Sequence, residues 1–331
     1  QDALQYITIM AIPPAALSIS ILCLMLAVRR KIIRPTVAAS ILVALLFLEV
    51  KLYLVKLENP TRYDPFTKAP YVEFLEKDPE RVRVIGLDFI LPPALSGVFG
   101  LYDLGNFNAV CVRRYTDFFR MYFTPLNEST IKMLRQEGDK ADMLDLCNVK
   151  YILTAGYLNG LSESLAYDEE IKIYENPGYF PRAFLADRAI WVPHVREVFE
   201  TLESGVIDLK RTVVLESSEP HPAESVAVEH PVTPVGDAEI TEYRENQVRI
   251  RTRTSSGSYL VLLDTFYPGW KAYVDGTPTK IMPAYYLFRA VRVPAGQHEV
   301  VFKYSPVSYK IGVLISLLGL FGTIWVTSRT S

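Results

Sequence analysis

Five aromatic residues near the C-terminus, Tyr267, Trp270, Tyr273, Tyr285 and Tyr286, are the side chains best suited to hold a ligand. Flat rings with one polar edge stack on sugar rings while a hydroxyl or indole N–H makes a hydrogen bond, so the chemistry would be glycan contact rather than bond cleavage. The ordinary alternative is that Trp270 and Phe266 pack a β core beside the Pro268-Gly269 turn, and large aromatics more often do so. Glu49 is a second candidate, because a carboxylate in an otherwise apolar stretch marks a donor or cation contact. Its bland reading, a headgroup-level carboxylate beside Lys51, is the more ordinary one.

Other chemistries lack their residues. His194, His221, His230 and His298 show no metal-ligand spacing, and no Cys-x-x-Cys pair occurs, so neither a metal nor a cofactor is expected. There is no G-x-S-x-G elbow and no phosphate-cradling glycine loop. Asn127-Glu128-Ser129 fits a glycosylation pattern that short sequences match often by chance. Arg249, Arg251 and Arg253 would suit an anionic lipid or wall polymer, or form one solvated strand face; a net charge of -2 gives no basic field to steer a nucleic acid.

The elements that must position these residues change character along the chain. Residues 71–205 mix both periods. Arg81 to Leu87, Val149 to Thr154 and Ile171 to Tyr174 read as strands, whereas Asp117 to Met121, Ser129 to Gln136 and His194 to Leu202 read as helices, the last stopped by Gly205. A Pro-rich linker, Ser217 to Pro222, follows. Beyond it, Gln247 to Thr254 alternates strictly, Tyr259 to Leu263 is apolar on both faces, and Asp275-Gly276 marks a hairpin turn. Short strands at this spacing imply a small antiparallel β-sandwich.

The 331 residues are 50% hydrophobic, but the apolar ones concentrate at the two ends. Three stretches look long enough to be transmembrane helices, which need roughly 20 residues. The first, 3–28, contains Pro13-Pro14, which a bundle would accommodate. The second, 36–57, has an apolar core of only Val37 to Leu48, and the third, 307–327, carries Gly312, Gly319 and Gly322. Arg29, Arg30, Lys31 and Arg34 place the 29–35 loop in the cytoplasm, together with the 328–331 tail. The expected fold is therefore a membrane-anchored α+β protein: three transmembrane helices, an extracytoplasmic α+β domain over 58–208 and an antiparallel β-sandwich over 209–306. The bilayer is its expected partner. The chain opens on Gln1 and enters the apolar run at once, as the C-terminal part of a longer polytopic protein would. Cys111 and Cys147 sit in apolar contexts that favour buried free thiols over a disulfide.

The stretch Tyr267-Pro268-Gly269-Trp270 to Gly276, then Phe288 to His298 and Val300 to Pro306, resembles the C-terminal end of the bacterial YfhO family of membrane proteins. Asn148-Val149-Lys150-Tyr151, Tyr174-Glu175-Asn176-Pro177, Pro181-Arg182-Ala183-Phe184 and Gly97 to Tyr102 resemble its extracytoplasmic segment. The resemblance implies a multi-pass glycosyltransferase of the GT-C type, taking a sugar from a polyprenyl-phosphate carrier and attaching it to an envelope glycopolymer or lipid. That family's proposed catalytic carboxylate lies in an early outer loop that nothing in this sequence matches, so no catalytic residue is carried over. The alternatives are a non-catalytic membrane-anchored carbohydrate-binding or scaffold protein, and a hydrolase built on a carboxylate pair that sequence spacing does not reveal.

Overall fold

The structure is a computed structural model that describes residues 20–57, 67–87, 90–91, 95–105, 111–123, 143–158, 164–217 and 235–330, with the side chains of 49, 52–57, 323–324 and 326–330 outside that description. The chain divides into two compact units, Gln1–Thr67 and Lys68–Ser331. The expected helix over 129–136, the Asn127 site, the 218–222 part of the linker and Pro13-Pro14 lie outside the described residues.

In the first unit a helix over 20–29 turns back through Lys31, in the left-handed region at φ 57°. The second helix, Pro35–Leu57, opens on proline, whose missing N–H costs nothing at a first helical position. Among the described residues no helix is long and apolar enough to cross a membrane, which corrects the expected spans over 36–57 and 307–327, while residues 3–19 of the first expected span lie outside the described residues. In the second expected span the apolar run is interrupted. The apolar run Val37 to Leu48 rises about 18 Å at about 1.5 Å per residue, against roughly 30 Å of hydrocarbon, before Glu49 and Lys51 intervene. The final helix, Val307–Thr330, begins with Ser308 and Lys310 and carries Gly312, Ser316, Gly319 and Gly322 among its apolar residues.

The second unit is a mixed α/β body with three sheets and a β-rich C-terminal half. Its first sheet contains β1 (Arg83–Gly86), β2 (Tyr102–Asp103), β3 (Val149–Thr154), β4 (Leu165–Asp168) and β5 (Lys172–Glu175) in the order β2-β1-β3-β5-β4. Here β2, β1 and β3 run parallel while β5 and β4 are antiparallel. The central sheet takes β6 (Ala183–Ala186), β7 (Arg188–Val192), β8 (Thr212–Glu216), β11 (Ser258–Leu262), β14 (Met282–Ala284) and β15 (Phe288–Val293) in the order β6-β11-β15-β14-β8-β7. The outer sheet, β13-β12-β16-β10-β9, is formed by β9 (Gly236–Arg244), β10 (Gln247–Thr254), β12 (Trp270–Val274), β13 (Thr277–Thr279) and β16 (Gly296–Tyr304).

Leu185, Leu260, Leu262 and Val291 of the central sheet meet Val248, Ile250, Val300 and Phe302 of the outer one in a shared apolar core. The other face of the central sheet packs on Phe118 and Phe123 from helix Arg113–Phe123, on Val198 and Leu202 from helix Val195–Glu203, and on Ile85 and Ile152 of the first sheet. The expected self-contained antiparallel sandwich after residue 208 is thus replaced by a sheet that crosses that position. β6 pairs antiparallel with β11 through Leu185↔Leu260, and β7 pairs parallel with β8. All four residues of β6 are buried, so it needs a strand neighbour and cover on both faces.

Local chemistry explains the elements the site rests on. β10 alternates as its sequence does, with Val248, Ile250, Thr252 and Thr254 buried. Asp275 and Gly276, both at positive φ (49° and 79°), make the β12–β13 turn that matches strand twist. Gly205, at φ 64°, stands beyond the end of helix Val195–Glu203.

Candidate aromatic site

Between β11 and β12 the chain turns through Tyr267-Pro268-Gly269. Gly269 sits at φ 101°, and a Cβ there would lie 2.9 Å from the Tyr304 ring and 3.1 Å from Pro306, so glycine is required on both counts. The Gly269 carbonyl accepts a hydrogen bond from Ser305 N at 2.8 Å, tying the turn to the chain entering the final helix. This geometry brings three of the five expected aromatics together. Tyr267, Trp270 and Tyr273 line an open pocket of about 300 Å³ with Phe266, Lys271, Thr279 and Ile281. Tyr267 is 46% exposed. Trp270 is held from within the fold, its ring 5.4 Å from that of Tyr304 and 4.0 Å from the Arg289 guanidinium, a cation–π contact that fixes its orientation. Lys271 faces Lys303 across the β12–β16 register, and among the described residues Lys271, Lys280 and Lys303 make no ion pair. The pocket can stack an apolar ring face and offer cationic and hydroxyl donors, and among the described residues no carboxylate or imidazole lines it.

The other two expected aromatics are elsewhere. Tyr285 is fully buried and its hydroxyl donates to Leu209 O at 2.7 Å, with Thr212 O at 3.1 Å. Burial pushes its phenol well above the usual range. Tyr286 donates to Asp117 Oδ2 at 2.9 Å under the Arg114 guanidinium, 4.7 Å from its ring, and burial followed by the Asp117 bond pushes its phenol up to about 12. Both side chains are packing elements.

Sequence reasoning missed the polar centre of the unit. Arg182, Arg289 and Arg83 converge on Asp264, all four buried. Arg182 Nη2 lies 2.7 Å from Asp264 Oδ1 and Arg289 Nη2 2.9 Å from Oδ2, while the Tyr243 hydroxyl donates to Oδ1 at 2.9 Å. Arg83 donates to Cys147 O at 2.8 Å and to Leu263 O at 2.7 Å. Burial alone would raise the Asp264 carboxyl, but the three guanidinium groups hold it near 2. Arg83 is lowered to about 10 by burial and by Arg182. With the carboxylate this strongly held and the arginines protonated, the cluster exchanges no proton near neutrality. It joins the three sheets through β1, β9 and the strand ends around β6, β11 and β15. The available signal was an arginine flanked by apolar residues in Pro181-Arg182-Ala183-Phe184 and Phe288-Arg289-Ala290.

A smaller concavity of about 230 Å³ is lined by Asp78, Glu80, Tyr102 and Tyr151 among others. Its carboxylates are engaged. Lys150 Nζ lies 2.7 Å from Asp78, the Tyr151 hydroxyl donates to Asp78 Oδ2 at 2.9 Å, and Tyr179 donates to Glu80. Such neutralised carboxylates do not present the free acid and base that a hydrolase pair requires. Among the described residues no group of His, Cys, Asp and Glu could hold a metal ion.

Glu49 lies on helix Pro35–Leu57 with its side chain outside the described residues. Arg249, Arg251 and Arg253 pair with Glu242 and Glu299, Glu239, and Asp237 on the flanking strands, so they are cross-strand partners rather than a bare cationic stripe. His298 bonds Asp275 Oδ2 at 2.6 Å, and His221 and His230 lie outside the described residues. Cys147 is buried and Cys111 half-buried, and among the described residues neither forms a disulfide.

Residues 234–316, which include β9 to β16 and the aromatic pocket, match the family described as bacterial membrane protein YfhO. The resemblance read from the sequence is borne out over that stretch. Neither a curated protein nor a solved structure matches the chain.

Proposed function

We propose, from the premise that residues 234–316 belong to the YfhO family of bacterial membrane proteins, that this chain is the glycan-handling part of a lipid-associated glycosyltransferase. In this reading the donor is a polyprenyl-phosphate sugar and the acceptor a cell-envelope polymer or lipid. The chain binds and orients the acceptor and supplies no bond-forming carboxylate of its own. One observation carries the reading: Tyr267, Trp270 and Tyr273 share one solvent-open pocket with Lys271 and Thr279. Stacking on the aromatic faces would hold a sugar's C–H surface, and the ammonium and hydroxyl would bond its oxygens.

The test is a glycan-binding titration of the full chain in mild detergent, using oligosaccharides from a bacterial envelope polymer. Tyr273→Ala should weaken binding about tenfold, the scale of one lost aromatic contact of about 1–1.5 kcal/mol. Unchanged affinity in Tyr273→Ala and Tyr267→Ala would remove the pocket from the reading. The engaged carboxylates around Lys150 favour a second reading, a carbohydrate-binding scaffold without transfer activity. Membranes carrying the protein and a labelled polyprenyl-phosphate sugar separate the two: label appearing in polymer supports the transferase, and binding without transfer supports the scaffold.

A further inference from the structure

In the first unit, Ile21, Leu24, Met25 and Val28 recur at i, i+3, i+4 and i+7 and so share one face of the helix over 20–29. Pro35, Ala38, Ala39 and Leu42 repeat the same spacing on helix Pro35–Leu57. Two such faces ordinarily close on each other with large side chains interleaved. Here the second face carries proline and two alanines, and a cleft of about 370 Å³ remains between them. The size lies within the roughly 300–1,000 Å³ of small-ligand sites. From Ile21 to Val28 the apolar wall rises about 10 Å, the length of a segment of extended hydrocarbon chain.

One end of the cleft is polar. Arg29 lines it, and Arg30, Lys31 and Arg34 follow within the connecting turn. No acidic residue occurs between residue 20 and Leu48 to neutralise them. An apolar slot that ends on clustered cations is complementary to an amphiphile with a fatty chain and an anionic head. A neutral or zwitterionic lipid would fill the slot but leave the cations without a net counter-charge. A water-soluble anion would meet the cations but leave the slot empty.

We propose that this cleft binds one anionic glycerophospholipid, its chain between the two helices and its phosphate against Arg29 with help from the neighbouring basic residues. The inference is independent of the glycan reading, since it uses residues of the other unit. Its test is native mass spectrometry of the full chain in mild detergent with equal amounts of dioleoyl-phosphatidylglycerol and dioleoyl-phosphatidylcholine. The expected result is one retained phosphatidylglycerol per chain, preferred about tenfold, the weight of one or two basic side chains near an anionic headgroup.

Arg29→Gln combined with Arg34→Gln should reduce the preference to parity. Ala39→Trp, which fills the slot, should abolish retention of both lipids, and circular dichroism checks that it remains helical. Leu42→Phe is a milder filling variant that should weaken retention in the same direction. Equal retention of the two lipids by the unaltered chain would overturn the proposal. So would full phosphatidylglycerol retention in a folded Ala39→Trp chain, which would leave the basic turn alone as the contact. Displacement of the lipid by glycerol 3-phosphate would also overturn it, because the chain would then contribute nothing.

Discussion

Two regions of the second unit are built from similar residue types and do opposite things. Around Asp264, three arginines are buried and hydrogen-bonded across three sheets, with half-buried Tyr243 donating to the carboxylate. Around Trp270, aromatics and lysines stand at the open edge between the central and outer sheets with Tyr267 and Lys271 in water. Arg289 belongs to both, since one Nη binds Asp264 and the guanidinium lies over Trp270. A motif's most chemical-looking residues can be its joints. Asn148, Asn176 and Arg182, all in family-like motifs, are buried and spend their polar atoms on backbone carbonyls or neighbouring side chains. The residues proposed for ligand contact are ones the fold leaves partly uncovered.

The contrast can be broken most forcefully at its buried end. Asp264→Ala should cost about 3–5 kcal/mol of unfolding free energy, because it strands the buried Arg182 and Arg289 charges. Denaturant unfolding measures it, and a loss below about 1 kcal/mol would mean that the cluster is not the joint described. Tyr285→Phe should cost about 1–3 kcal/mol by leaving Leu209 and Thr212 carbonyls without their donor, with glycan affinity unchanged. A loss of affinity in that variant would return Tyr285 to the site.

Two carboxyls respond to acid in opposite senses. Asp264 is held near 2 in the fold, below the roughly 3.9 of an unfolded aspartate, so its contribution is present above about pH 4 and is lost as pH falls through about 2. Asp103 is raised by burial to about 6, so the fold binds its proton more tightly than the unfolded chain does and stability falls as pH rises from about 4 to 6. Asp103→Asn keeps an acceptor for Gly105 N, now bonded at 2.8 Å to Oδ1, and should be more stable than the unaltered chain at pH 8 but not at pH 4. Equal differences at both pH values would count against a raised carboxyl. The smallest effect is expected on the outer face. Arg251→Ala with Arg253→Ala removes pairs to Glu239 and Asp237 that are exposed on both sides, and thermal melts should stay within error of the unaltered chain.

Much of the fold was legible where the controlling physics is local. Val149–Thr154 and Gln247–Thr254 are strands over the expected residues, helix Val195–Glu203 falls within a residue of its expected bounds, and the Asp275-Gly276 turn is where its residues require. Apolar end segments were legible as helices over 35–57 and 307–330, although among the described residues no helix is long and apolar enough to cross a membrane. Of the aromatic cluster, residue type and turn chemistry pointed to Tyr267, Trp270 and Tyr273. Nothing local separated them from Tyr285 and Tyr286, whose rings turn inward only because β14 is paired with β8 and β15.

Periodicity, turn chemistry and side-chain type act between neighbours in the chain, and they were enough to specify strands, caps, the hairpin turn and an aromatic-rich C-terminal region. Strand partnership is decided between residues far apart. β6 joins β11 rather than the first sheet because a strand apolar on both faces must find cover on both. That pairing carries Arg182 to Asp264, closes one core and leaves the pocket edge open. Burial of the charge cluster and exposure of the pocket are therefore properties of the assembled sheets, since both depend on which surfaces remain uncovered once the sheets have packed.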